Sequence, residues 1–188
     1  YNEKGDFEQA IPYFLDAVGL DEKNTAAKAG LSDAYAMKGN DMLVKDQAAG
    51  AKGLFLEALK HDPSNSAAYF GLAEVYSELD QYPEAIANYE RSLENDKDLT
   101  EIYVPLGILY YQAGQIEKAD AMLTKALAFA AGSAETQFFL GLVRSSQLRN
   151  EDAAAAFQAA KTLDSKMEEA FFQSAEVHLC EPGLVRSP

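Results

Sequence analysis

Ala51, Ala85, Ala119 and Ala153 follow one another at intervals of 34 residues, and each heads the same short pattern. Four residues on stands a large apolar side chain (Phe55, Tyr89, Leu123, Phe157), and three further a small one (Ala58, Ser92, Ala126, Ala160). Ala10, Phe14 and Ala17 give the pattern once more upstream. A beat of this length marks an array of short helical units, each unable to bury its apolar face without its neighbours. The expected fold is therefore all-α.

The other half of the unit is as regular. Tyr69-x-x-Leu72-Ala73-x-x-Tyr76 precedes Ala85, and Tyr103-x-x-Leu106-Gly107-x-x-Tyr110 precedes Ala119. With the small-aromatic-small signature and Pro63 closing an earlier unit, the chain resembles the tetratricopeptide (TPR) repeat family from residue 1 to about 179. The resemblance implies a right-handed α-solenoid of helix-turn-helix repeats. The units would be 1–24 (partial), 25–65, 66–99, 100–133, 134–167 and 168–179 (partial), followed by a non-repeat tail, 180–188.

One unit breaks the beat. Ala10 to Ala51 is 41 residues, a surplus of seven that falls between Gly39 and Ala51. Seven residues are close to two helical turns at 3.6 per turn, so helix is added without rotating the apolar stripe. Val44, Ala48, Ala51 and Phe55 continue that stripe backwards, which predicts a second helix lengthened by about two turns, with a mobile loop as the alternative because Gly50 and Gly53 disfavour continuous helix. Asp6 is the expected N-cap of the helix carrying Ala10, and Asp62-Pro63 the stop of the helix carrying Ala58.

The inventory of reactive side chains argues against an enzyme. The two histidines, His61 and His178, belong to no metal-binding frame, and no phosphate-cradling glycine motif occurs. Asp96-Lys97-Asp98 lacks the central glycine and later glutamate of a calcium loop. Cys180 excludes an internal disulfide and has no base beside it. No catalytic residue, metal or cofactor is expected. The formal charge of −14 argues against nucleic acid or an anionic membrane as partner. Residues 66–99 hold eight acids and two bases, whereas 25–65 and 134–167 each balance. No stretch approaches the roughly 20 apolar residues that span a bilayer. A cytoplasmic location is expected, with a signal peptide left open because the chain starts mid-repeat.

In the family the resemblance points to, first helices line a concave wall on which partner polypeptides bind. The Tyr/Leu/Gly/Tyr stripe turns inward, so residues about 100° or more away face the opening. By that register the candidate peptide-binding residues are Ala29, Asp33, Phe70, Glu74, Val104, Ile108, Tyr111, Phe138, Leu142, Phe172 and Glu176. They form an apolar stripe dotted with carboxylates, without the lysines and asparagines with which TPR modules clamp acidic C-termini. The expectation is a non-catalytic adaptor whose partner is another protein, a peptide or amphipathic helix with apolar anchors and basic flanks. Two alternatives stand beside it: a self-assembling scaffold, and a regulatory or substrate-presenting segment of a larger enzyme.

Overall fold

A computed structural model describes residues 6–129 and 133–164. Among them are nine α-helices and no strand: α1 (Phe7–Leu20), α2 (Thr25–Val44), α3 (Ala48–His61), α4 (Ser66–Glu78), α5 (Tyr82–Asn95), α6 (Tyr103–Gln112), α7 (Ile116–Phe129), α8 (Ala134–Ser146) and α9 (Asn150–Leu163). The fold is a helical solenoid of the kind the resemblance implies, in which α2/α3, α4/α5, α6/α7 and α8/α9 are helix-turn-helix pairs. The chain divides into two compact units, Tyr1–Ile102 and Tyr103–Pro188. The expected partial repeat 168–179 and the tail 180–188 lie outside the described residues.

Helix starts follow side-chain capping. The Asp6 carboxylate accepts from the Gln9 amide at 3.3 Å, as the sequence predicts. Asn24 and Asn65 accept from the Ala27 and Ala68 amides, both at 2.9 Å, and Ser133 accepts from Thr136 at 3.2 Å. Leu99 occupies the corresponding place before the fourth unit, and its side chain has no oxygen to offer. There the chain enters through a 3₁₀ turn, Thr100–Ile102, before α6 begins. Pro105 sits at the third position of α6, where an amide would have no intrahelical acceptor.

The turns inside the pairs share one geometry. Asp46, Asp80, Gly114 and Leu148 are spaced by 34 residues and all adopt positive φ, from 56 to 72°. In the α4/α5 turn the Asp80 amide donates to Ser77 O and the Gln81 amide to Tyr76 O, a Schellman closure. Gln47, Gln115 and Arg149 make the same backward bond to Met42, Tyr110 and Arg144.

This regularity corrects the expected site of the seven extra residues. Asp46 is on the beat, and α3 begins three residues before Ala51, as α5 does before Ala85. The second helix is of ordinary length. The first helix is the long one: α2 has 20 residues against 13 in α4 and α8. Val44, read as part of the stripe of α3, is the exposed last residue of α2. Ser32 Oγ donates to Ala58 O, and in the next pair Ser92 Oγ donates to Ser66 O. Ser32 thus stands level with the last turn of α3, where the next pair has the first residue of its first helix. Residues 25–31 overhang.

In four of the second helices, α5 with Tyr89 excepted, the large side chain seats where a first helix has a glycine. A Cβ added to Gly71 would collide with the Phe55 ring, and one added to Gly39 would lie 2.6 Å from it, so Phe55 is wedged between α2 and α4. Gly30 meets Phe14 likewise. In the second compact unit, Gly107 faces Leu123 and Gly141 faces Phe157. Phe55 is fully buried and held on both sides, so it has nowhere to withdraw. Gly71→Ala is therefore expected to lower the unfolding free energy by about 1–3 kcal/mol through overpacking, although alanine favours helix by about 1 kcal/mol. Gly53→Ala, whose Cβ would meet nothing within 4 Å, should gain about 0.5–1 kcal/mol. Urea titrations followed by circular dichroism will show the opposite signs. Stabilisation by both substitutions would contradict the wedge.

Candidate interaction surface

The residues expected to form a binding face separate into three groups. In the first compact unit, α2 contributes Ala29, half-buried, and Asp33, exposed, while α4 contributes Phe70 and Glu74, both half-buried. In the second, α6 presents Val104, Ile108 and Tyr111, all half-buried. Each keeps surface available to a partner. Phe138 and Leu142 do not, with 5% and 8% of their surface accessible. They form a core with Ala153, Phe157 and Ala160, and the Phe138 ring lies 5.7 Å from that of Phe157. The face of α9 toward α8 is mostly alanine, so the larger side chains of α8 fill the space between them. Phe139, one residue on, stands edge-to-face with Tyr111 at 6.5 Å. Phe172 and Glu176 lie outside the described residues.

The carboxylates in the first unit are held in place from behind. Asn65, buried at the start of α4, uses its amide nitrogen twice, donating to Ser32 Oγ and to Asp33 Oδ1, each at 2.9 Å. One side chain thus caps α4, ties it to α2 and orients Asp33. Partial desolvation of its carboxyl pushes Asp33 above its ordinary value although the residue as a whole is exposed, the Asn65 bond opposes this, and the negative charge of Asp62 adds to it. Glu74 accepts a hydrogen bond from the hydroxyl of Tyr89, which is almost wholly buried. Burial, first, and the adjacent Glu74 carboxylate push the Tyr89 phenol upward, so it stays a donor at any ordinary pH. Phe70 lies edge-on to the Tyr89 ring, 5.8 Å between centroids. Aromatic surface and an oriented acid therefore come side by side on α4.

The extra length of α2 adds residues that the register argument missed. Counted from the turn at Asp46, the counterparts of Phe70 and Glu74 are Ala36, which is buried, and Asn40, which is exposed. Counted from the start of α2, they are Ala29 and Asp33. Both registers coexist because two extra turns return the helix to nearly the same face. Between the overhang and the end of α3 lies a depression of about 420 Å³ lined by Thr25, Ala26, Lys28, Ala29, His61 and Asp62.

Among the described residues no three His, Cys, Asp or Glu side chains are grouped to hold a metal ion, and no helix is long and apolar enough to cross a membrane. Tetratricopeptide-repeat models match residues 1–24, 54–87 and 78–137, together more than half of the 188 residues. No curated protein is a significant match. The crystal structure of YrrB, described as a TPR protein with an unusual peptide-binding site, shares 21% identity at a TM-score of 0.70, covering 88% of this chain and 81% of its own. MamA 41-end from Desulfovibrio magneticus RS-1 shares 17% at 0.66, covering 79% and 90%. MamA AMB-1 shares 20% at 0.64, covering 94% and 95%. At such identities the likeness is one of fold.

The raised Asp33 carboxyl makes a stability prediction with a definite sign. A group whose proton is held more tightly in the folded state stabilises the fold below its unfolded value, 3.8, and that contribution is lost as pH rises through the folded value. Asp33→Asn keeps an oxygen for Asn65 and stays neutral throughout. It should melt higher than the wild type at pH 7, with the difference closing as the pH is lowered toward 3.8. Thermal melts across this range test it, and a lower melting temperature at pH 7 would contradict it.

Proposed function

Since the chain belongs to the tetratricopeptide-repeat family, we propose that it is a non-catalytic adaptor holding a partner polypeptide on the open face of its first helices. The observation that carries this reading is the row of half-buried apolar side chains on those helices, paired with acids on α2 and α4. Phe70 beside Glu74 is the best-defined case in the first compact unit, and the second has half-buried apolar side chains of its own in Val104, Ile108 and Tyr111. Side chains left half-covered in a folded chain gain from completing their burial, and each well-buried anchor contributes roughly 1.5–3 kcal/mol before ordering costs. Two or three anchors correspond to micromolar affinity, suited to reversible assembly.

Charge sets the partner's chemistry. The chain carries −14 overall, and the repeat containing Phe70 and Glu74 holds eight acids against two bases. An apolar segment flanked by lysine or arginine is steered toward such a surface, and an acidic one is repelled. YrrB, with its peptide-binding site, supports the reading as an example of peptide recognition on this fold.

Fluorescence anisotropy with short labelled peptides tests it. A leucine- and lysine-rich peptide should bind in the micromolar range and weaken as salt is raised, while its glutamate-for-lysine counterpart should not bind. Ile108→Glu should weaken the lysine peptide about tenfold or more with the helical signal intact, a loss of about 1.4 kcal/mol. Phe138→Glu, placing a charge in the α8/α9 core, should instead lower the helical signal. Equal binding of basic and acidic peptides would contradict the assignment.

A further inference from the structure

The overhang of α2 has no counterpart in α4 or α8, whose lengths are those of an ordinary first helix. It supplies Ala26 and Ala29 as the apolar part of the lining of the depression described above, together with Thr25, Lys28, His61 and Asp62. The walls are fixed. The His61 ring stacks on Tyr35 at 5.8 Å and 10°, and its Nε2 lies 3.7 Å from Glu57. Asp62 accepts from the Ser64 amide at 2.9 Å and the Ser64 hydroxyl at 2.6 Å. Asp33, one turn along α2 from Ala29, is oriented by Asn65. Asp33 and Asp62 repel one another, and among the described residues neither forms an ion pair. Against the single charge of Lys28 stand two carboxylates.

A lining of small apolar groups with uncompensated acids beside it complements a side chain that is aliphatic along its stem and cationic at its tip. We propose that this notch takes a lysine or arginine side chain of the partner polypeptide, the stem lying on Ala26 and Ala29 and the cationic head directed to Asp33 and Asp62. The inference rests on the adaptor reading and adds a subsite that only the lengthened helix supplies. It also assigns a role to the seven-residue surplus: the added turns extend the recognition face past the end of α3.

The test uses the whole chain, labelled with ¹⁵N, and the leucine- and lysine-rich peptide. A second peptide carries norleucine for lysine, which keeps the stem and removes the charge, and a third carries glutamate. The lysine peptide should shift the amide resonances of Ala26, Ala29 and Asp62, and the norleucine peptide should bind about tenfold more weakly. Ala29→Phe, which fills the notch, should cost the lysine peptide a similar factor with the helical signal unchanged. Asp33→Asn should weaken it severalfold while leaving the fold more stable. Binding that shifts α4 but leaves Ala26, Ala29 and Asp62 unmoved, and is indifferent to Ala29→Phe, overturns the notch and spares the adaptor. Shifts at these amides from the glutamate peptide overturn the charge assignment. Concentration-dependent shifts without peptide give the notch to a second copy of the chain instead. Absence of binding by all three peptides removes the adaptor reading and this proposal with it.

Discussion

The Phe55 ring between Gly39 and Gly71 is the contact on which the first compact unit depends. A helix pair cannot close while both helices carry bulk at the crossing, so the chain places its largest side chain opposite a missing one. The same exchange recurs as Phe14 against Gly30, Leu123 against Gly107 and Phe157 against Gly141. Because Phe55 touches both α2 and α4, it fixes the pair and the step to the next pair at once. The polar tie from Asn65 to Ser32 and Asp33 runs beside it and sets the same two helices in register. Small side chains along the second helices then let backbones approach, which is why Ala51, Ala58 and Ala85 are wholly buried.

Much of this is written in the 34-residue beat, because stacking identical units demands that their contacts recur. The α-solenoid, the pairing and the turns all follow from it. The interval from Ala10 to Ala51 joins two second helices and contains a whole first helix as well as a turn, so by itself it does not say which of them holds the surplus. Two other series resolve it. Gly39, Ala73, Gly107 and Gly141 keep the beat, and so do Asp46, Asp80, Gly114 and Leu148, which leaves the extra residues upstream of Gly39.

The candidate surface was less legible, for a physical reason. Angular register on an isolated helix says which side chains point away from its own partner, but not what the next helix brings. Phe70 and Ile108 keep accessible surface, whereas Phe138 and Leu142 are taken into the core because α9 offers alanines to them. Neither the Asn65–Asp33 bond nor the Tyr89–Glu74 bond follows from periodicity, since each depends on a side chain reaching a different helix. Those bonds orient acids that would otherwise sample many rotamers, which in the proposed adaptor role lowers the ordering cost of recognition.

In this account, first helices meet the partner and second helices hold the stack. Hydrogen–deuterium exchange of the chain with and without a saturating leucine- and lysine-rich peptide measures that division directly. The account predicts added protection in the first half of α2, in α4 and in α6, with α3, α5 and α7 unchanged. Protection confined to the second helices, with α2, α4 and α6 exchanging as in the free chain, would contradict it.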